Sequence, residues 1–198
     1  MSHGTQASRF LSLHHPKNIY MSTHYNVLVI GGGAGGIMTA AQLRRKDKKL
    51  SIALIEPSDK HYYLPAWTLV GAGAFKYSST VKDEKKLIPN GVKWIKDYAT
   101  TFDPESNLVR TKNSGDITYD TMVISAGIQY DIDAMPGLRE ALNTDVVCSN
   151  YLDPEKTYRV LQNFKGGNAM FTQPAGAIRC GGAPQKIMYL AEEYFEKS

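Results

Sequence analysis

The sharpest pattern along the chain is a short apolar run that stops at glycine: Tyr25-Asn26-Val27-Leu28-Val29-Ile30 leads into Gly31-Gly32-Gly33-Ala34-Gly35-Gly36. A nearly continuous apolar run of this length, without polar alternation, reads as a strand buried on both faces of a parallel sheet. Beyond the glycines, Ile37, Ala40, Ala41 and Leu43 place small and apolar groups on one face of a helix. The basic stretch Arg44-Arg45-Lys46-Asp47-Lys48-Lys49 ends that helix, because cations suit a helix C-terminus. The run from Ser51 to Ile55 is a second buried strand that halts at Glu56-Pro57, which completes a βαβ unit.

Residues 58–90 have weak periodicity and contain Tyr62-Tyr63-Leu64-Pro65 and Gly71-Ala72-Gly73, so irregular structure and short helices lining a site are expected. Val92-Lys93-Trp94-Ile95 is a third strand. Alternating segments near Ala99, at Leu108 to Thr111 and at Asp116 to Tyr119, broken by Asn113-Ser114-Gly115, predict a small antiparallel meander. Thr121 to Ser125 then returns to the buried sheet. A variable connection follows from Asp131 to Lys165, and Asn168 to Thr172 reads as another strand. The last helix is expected from Pro184 to Lys197, with Pro184 in its first turn and Ile187, Leu190, Ala191 and Tyr194 on its packed face.

Composition narrows the class. The 198 residues are 42% hydrophobic and 21% charged, as in ordinary globular proteins, and no apolar run approaches the ~20 residues of a membrane span. The net charge of +4 is scattered, with no basic face interleaved with aromatics, which argues against a nucleic-acid partner. Cys148 and Cys180 are the only two cysteines, too few for a disulfide framework. The histidines, His3, His14, His15, His24 and His61, show no ligand spacing with them, so no metal site is expected. Residues 1–23 carry Arg9 and Lys17 and no acidic residue, and fit either an organelle-targeting segment or a disordered tail.

The glycine loop carries chemistry because of its context. Gly31-x-Gly33-x-x-Gly36 joins a strand to a helix, and Glu56 closes the next strand 20 residues after Gly36. This is a dinucleotide fingerprint: Gly31 for a tight turn, Gly33 for close approach of a pyrophosphate, Gly36 for helix–strand packing, and Glu56 for ribose hydroxyls. Cys180 precedes a helix start and has Arg179 and Lys186 nearby, surroundings that favour a thiolate and mark it as the candidate catalytic residue. Cys148 lies outside any motif and reads as a structural thiol.

FAD and NAD share the first fingerprint. The meander followed by Val123-Ile124-Ser125-Ala126-Gly127 resembles the second flavin-binding motif of flavoproteins with two dinucleotide domains, and so implies FAD. Two further stretches, Glu56-Pro57-Ser58 with His61 to Gly73, and Cys180-Gly181-Gly182-Ala183-Pro184-Gln185-Lys186-Ile187-Met188-Tyr189-Leu190, closely resemble sulfide:quinone oxidoreductases of the eukaryotic mitochondrial type. The resemblance runs from about His24 to the C-terminus. It implies a mitochondrial inner-membrane flavoprotein on the matrix side that oxidises hydrogen sulfide and passes two electrons through FAD to ubiquinone. The sulfur, held as a cysteine persulfide, would go to an acceptor such as sulfite or glutathione.

Carried over by position, the resemblance gives Ala34 and Gly35 to the phosphates, Glu56 to the adenosine ribose, Leu64 to the flavin side, Ala99 to the adenine through its main chain, and Ala126 and Gly127 to the second motif. Leu64 stands where relatives often have Gln, which leaves its backbone for the contact. In the family the cysteine at Cys180 pairs with a second one that would lie beyond Ser198. The expected fold is therefore α/β: an FAD-binding Rossmann-like domain with a small antiparallel meander over residues 24–130, a connection over 131–165, and the first βα unit of a second, truncated Rossmann-like domain over 166–198. Two other readings stay in view. One is a non-catalytic truncated product that only binds FAD or a nucleotide. The other is a type II NADH:quinone oxidoreductase, which needs neither Cys180 nor the degraded loop Gln173-Pro174-Ala175-Gly176-Ala177.

Overall fold

The computed structural model describes residues 23–173, 175–176 and 178–197. All but one residue of the N-terminal segment, and Pro174 and Ala177 of the degraded loop, lie outside the described residues. Strand β1 (Thr23–Ile30), helix α1 (Ala34–Lys46) and β2 (Ile52–Ile55) form the βαβ unit that the apolar runs predict. β2 pairs in parallel with β1 and, on its other side, with β5 (Val92–Ile95). Of the residues expected on the inner face of α1, Ala40 is buried and Ile37 and Leu43 are half-buried, whereas Ala41 faces solvent.

Period-two alternation in the central strands builds two cores, one on each face of the sheet. Val27, Val29, Ile52 and Leu54 pack with Ala40 of α1, while Leu28, Ile30, Ala53 and Ile55 pack with Val109, Ile117 and Tyr119. The sheet has six strands in the order β5-β2-β1-β8-β7-β6, with β6 at Ala99–Asp103, β7 at Leu108–Thr111 and β8 at Asp116–Ile124.

The expected small antiparallel meander forms as β6, β7 and the first residues of β8, and it continues the main sheet. The third meander strand and the returning strand are one nine-residue strand, β8, antiparallel to β7 through its first residues and parallel to β1 along its length. Neither glycine nor proline interrupts Asp116 to Ile124, so the backbone stays extended through Asp120. Residues 58–90 are also more regular than expected: β3 (Lys60–Tyr62) and β4 (Val81–Asp83) form a two-stranded antiparallel sheet around helices α2 (Trp67–Gly71) and α3 (Tyr77–Thr80).

The connection contains α4 (Leu138–Ala141) and α5 (Pro154–Asn163). α5 starts where Asp153 accepts the Lys156 N–H at 2.8 Å, with Pro154 in the first turn. The final helix, α6 (Ala183–Lys197), buries Ile187 and Ala191 as its spacing predicts and packs against α2 and α5. Tyr158 meets Tyr194 edge-on and Phe164 lies 4.8 Å from Phe195 between ring centroids. Residues 168–172, expected as a strand, have no strand partner and leave Met170 84% exposed. An isolated extended segment has no ladder to join, so the helix of the expected second βα unit forms and its strand does not.

Candidate functional site

The glycine loop sits where β1 opens between β2 and β8. Gly31 donates its N–H to Ile55 O at 2.9 Å, and Ser125, just past β8, donates to Ile30 O at 2.7 Å. Gly31 has φ +102°, and a Cβ there would lie 2.4 Å from Ser125 O, so both the backbone conformation and the space require glycine. At Gly36 a Cβ would fall 1.9 Å from Gly31 O, which shows how closely α1 approaches the strand. Gly33 is different in kind: a Cβ there meets nothing within 4 Å, and Gly33, Ala34 and Gly35 are exposed. No side chain caps α1 and its first turn has no acidic residue, so its leading N–H groups face an open surface of positive potential.

Glu56 holds this loop from the side. Its Oε2 accepts the Gly32 N–H at 2.8 Å and its Oε1 accepts the Ser58 N–H at 2.7 Å. Each carboxylate oxygen keeps lone pairs for a further donor. Trp94 donates its indole N–H to the Glu56 carbonyl at 2.9 Å and thereby fixes the end of β2. The sequence gives no hint of this support from Trp94 and Ser58, because each lies on a different element from the loop. Ala99 opens β6 and is half-buried, at a register irregularity between Ala99 and Thr101 that interrupts the ladder there. Ala126 and Gly127 are exposed beyond the end of β8, and Gly127 has φ +76°.

Leu64 begins a 3-10 turn, Leu64–Ala66, that runs directly into α2, and Cys180 lies three residues before the start of α6. Because α2 and α6 pack together, the two candidate residues are brought to one helical layer despite 115 intervening positions. The Cys180 thiol is exposed and free, with Lys186 Nζ 3.8 Å from Sγ. The Gly182 backbone N–H holds the thiol below its ordinary pKa; burial opposes it, and the Lys186 charge and the Ala183 N–H add to the lowering. Cys148 is half-buried rather than sealed in a core.

The Cys180 loop is braced by two tyrosines that sequence reasoning passed over, Tyr151 inside the expected connection and Tyr130 just before it. Tyr151 donates its hydroxyl to Cys180 O at 3.3 Å and its ring lies 6.1 Å from that of Tyr130. Arg179 stacks its guanidinium 5.4 Å from the Tyr130 ring centroid. Burial, and then the Cys180 charge, raise the Tyr151 hydroxyl pKa, so this group stays a donor.

The family model of the pyridine nucleotide-disulphide oxidoreductases matches residues 25–163. The mitochondrial sulfide:quinone oxidoreductase of Mus musculus is 45% identical over 98% of this chain and 44% of its own length. That of Dictyostelium discoideum is 47% identical over 86% of this chain and 39% of its own. Among solved structures, the sulfide:quinone oxidoreductase of the hyperthermophilic bacterium Aquifex aeolicus superimposes with a TM-score of 0.56 at 30% identity, covering 71% of this chain and 32% of that one. The chain thus spans less than half the length of these relatives.

Proposed function

Since the chain belongs to the pyridine nucleotide-disulphide oxidoreductase family, we propose that it is the FAD-cradling and thiol-bearing part of a sulfide:quinone oxidoreductase. The observation that carries this reading is the exposed Cys180 thiol at the head of α6, with its pKa lowered and Lys186 Nζ 3.8 Å away. A thiolate at neutral pH is what sulfur chemistry requires, since the thiolate is the nucleophile and the leaving group in thiol exchange.

The loop geometry fits FAD. The open Gly33 position admits a pyrophosphate, Ala34 and Gly35 present their backbone at the head of α1, and Glu56 retains acceptor capacity for ribose hydroxyls. Gly31 and Gly36 shape the turn, Ala99 offers main-chain groups to the adenine, Leu64 stands on the flavin side, and Ala126 with Gly127 closes the second motif. FAD, when bound, supplies a two-electron acceptor. The chain's own part is to hold it, to favour the Cys180 thiolate through the Gly182 and Ala183 amides and Lys186, and to fix the Cys180 loop through Tyr130 and Tyr151.

In the whole protein the reaction is oxidation of hydrogen sulfide to a cysteine persulfide, with two electrons passed to ubiquinone and the sulfur to an acceptor such as sulfite or glutathione. The place of action is the mitochondrion, at the matrix face of the inner membrane. Among the described residues no helix is long and apolar enough to cross a membrane, and peripheral association is the mode proposed. Residues 24–130 are read as the first part of the FAD domain and 166–198 as the start of a second nucleotide-fold domain.

The test is the visible spectrum of the chain with FAD, with and without sulfide, against Cys180→Ser. Bound flavin bleached by sulfide in the parent and not in the variant supports the reading. Bound flavin without bleaching leaves a cofactor-binding module, and no bound flavin favours a non-catalytic product.

A further inference from the structure

Glu84 lies in the charged run Lys82-Asp83-Glu84-Lys85-Lys86, where sequence alone places a solvated carboxylate, yet the residue is 1% exposed. A 3-10 turn, Glu84–Lys86, folds it inward: the Glu84 N–H donates to Asp59 O at 2.8 Å, and the Leu87 N–H donates back to Glu84 O at 2.8 Å. The side chain ends directly beneath the glycine loop. A Cβ on Gly32 would lie 2.4 Å from Glu84 Oε1 and 2.6 Å from Glu56 Cγ. Glu84 Oε2 is 3.4 Å from His61 Nδ1, which is also 3.2 Å from Gly32 O. Oε1 has no hydrogen-bond partner.

Three titratable groups from three elements therefore share the floor of the loop: Glu56 from the end of β2, His61 from β3, and Glu84 from the turn after β4. They are not equivalent. Both Glu56 oxygens accept backbone N–H bonds, from Gly32 and Ser58. Glu84 has only the His61 contact, and its other oxygen is buried and bare. The nearest surface charges, Lys60 with Asp83 and Lys96 with Asp59, pair with one another at half-exposed positions, where solvent screens them.

We propose that Glu84, partnered by His61, is a proton-linked positioning residue for the dinucleotide loop, and that it takes up one solvent proton when a dinucleotide pyrophosphate docks above it. The inference rests on the reading of that loop as the FAD pyrophosphate cradle. A pyrophosphate brings negative charge to a loop whose floor already holds the Glu56 carboxylate, and interactions between charges grow as water is excluded. Protonation of Glu84 removes one of the opposing charges without altering a covalent bond to the ligand or the loop. Burial, first, prepares it for this role by raising its proton affinity; the His61 charge opposes that and the Glu56 charge reinforces it. Glu56 is bonded to the loop backbone through Gly32 and Ser58 while Glu84 is not, so the two carboxylates divide recognition and charge balance between them.

The sign follows from linkage. A ligand whose binding takes up a proton binds more tightly as pH falls, by at most about tenfold per pH unit for one proton. The experiment is calorimetric titration of the full chain with FAD and with ADP-ribose, whose pyrophosphate diesters keep their charge over the range, in two buffers of unlike ionisation enthalpy. The expected result is net uptake approaching one proton and an affinity that rises more than tenfold, with about a hundredfold as the ceiling, from about pH 7.5 to about pH 5.5. Glu84→Gln keeps the size of the side chain and is expected to abolish the uptake and flatten the slope, which a merely structural role would leave in place. Binding with no proton uptake in the parent chain overturns the proposal whether or not the variant folds, as does a slope unchanged in the variant. Failure of both ligands to bind at any pH overturns the cradle reading and the proposal together.

Discussion

At the scale of single residues, the glycine loop separates into positions that shape it and a position that leaves room above it. Gly36→Ala drives a methyl to within 1.9 Å of the Gly31 carbonyl oxygen, which is backbone and cannot yield as a side-chain tip can. Thermal or urea unfolding is expected to show a loss of about 2 kcal/mol or more, in the range of overpacking strain. Gly33→Ala meets no atom within 4 Å, and Gly33 has φ −66°, so stability should change by less than about 0.5 kcal/mol. Its cost should appear in FAD affinity instead, by about tenfold, as the methyl occupies the approach of the pyrophosphate. A stable Gly33→Ala chain that binds FAD like the parent would place the cofactor elsewhere. Cys180 offers a second test at this scale. With Lys186→Met the thiol loses the charge beside it and its pKa rises toward the ordinary value, so iodoacetamide labelling of Cys180 near neutral pH should slow several-fold. Peptide-resolved mass spectrometry separates this signal from Cys148, whose rate should not change.

At the scale of elements, the turn between β7 and β8 is clamped from outside by Asp97. This carboxylate accepts the Asn113 N–H, the Ser114 N–H and the Asn113 side-chain amide, together with its neighbour's N–H at Tyr98, while only 2% exposed. Burial opposes its ionisation, but Ser114, Tyr98 and Asn113 outweigh it and hold the carboxyl far below its usual range. An acid with a depressed folded-state pKa adds stability above its unfolded pKa, and that contribution fades as pH falls below about 5. Asp97→Ala is therefore expected to cost about 2–3 kcal/mol at neutral pH, with the difference from the parent narrowing in urea melts taken at acid pH. The cap of α5 is smaller: Asp153→Ala should cost about 1 kcal/mol. These two elements also mark the limits of reading the chain as a sequence. Apolar runs gave β1 and β2 because burial on both faces leaves an unbroken local signal, and the helical spacing of Ile187 and Ala191 gave the packed face of α6. α5 carried its own start signal in Asp153-Pro154, inside a stretch read only as a variable connection. Residues 168–172 had the composition of a strand and lacked what no local pattern reveals, a neighbouring edge to pair with. Glu84 was hidden for the opposite reason: its flanking lysines and aspartate are solvated, and only the hydrogen bond to Asp59 turns it inward.

At the scale of the whole molecule, stability is divided unevenly between the sheet and the helices packed beyond it. Both apolar cores lie on the central sheet, and Leu28, Val29, Ala53, Leu54 and Val109 are wholly buried. The layer of α2, α5 and α6 holds fewer buried apolar groups, chiefly Val70, Leu161, Ile187 and Ala191, and its neighbourhood leaves Val146 78% and Met170 84% exposed. Cys180 is thus carried on the less strongly buried part, while the glycine loop is carried on the most strongly buried one. Amide exchange should follow that division, since local opening is easiest where buried contacts are sparse. β1, β2 and the β1-paired part of β8 are expected to exchange last, and α5 and α6 earlier by about 2 kcal/mol or more in opening free energy. Added FAD should slow exchange first at the head of α1 and at the end of β2, because it stabilises only the closed state of the elements it touches. Exchange that is uniform across sheet and helices would mean the helical layer opens only with the sheet. Cys180 would then sit on a scaffold as fixed as the cofactor cradle, and the geometry between Leu64 and Cys180 would be set by the fold before any cofactor binds.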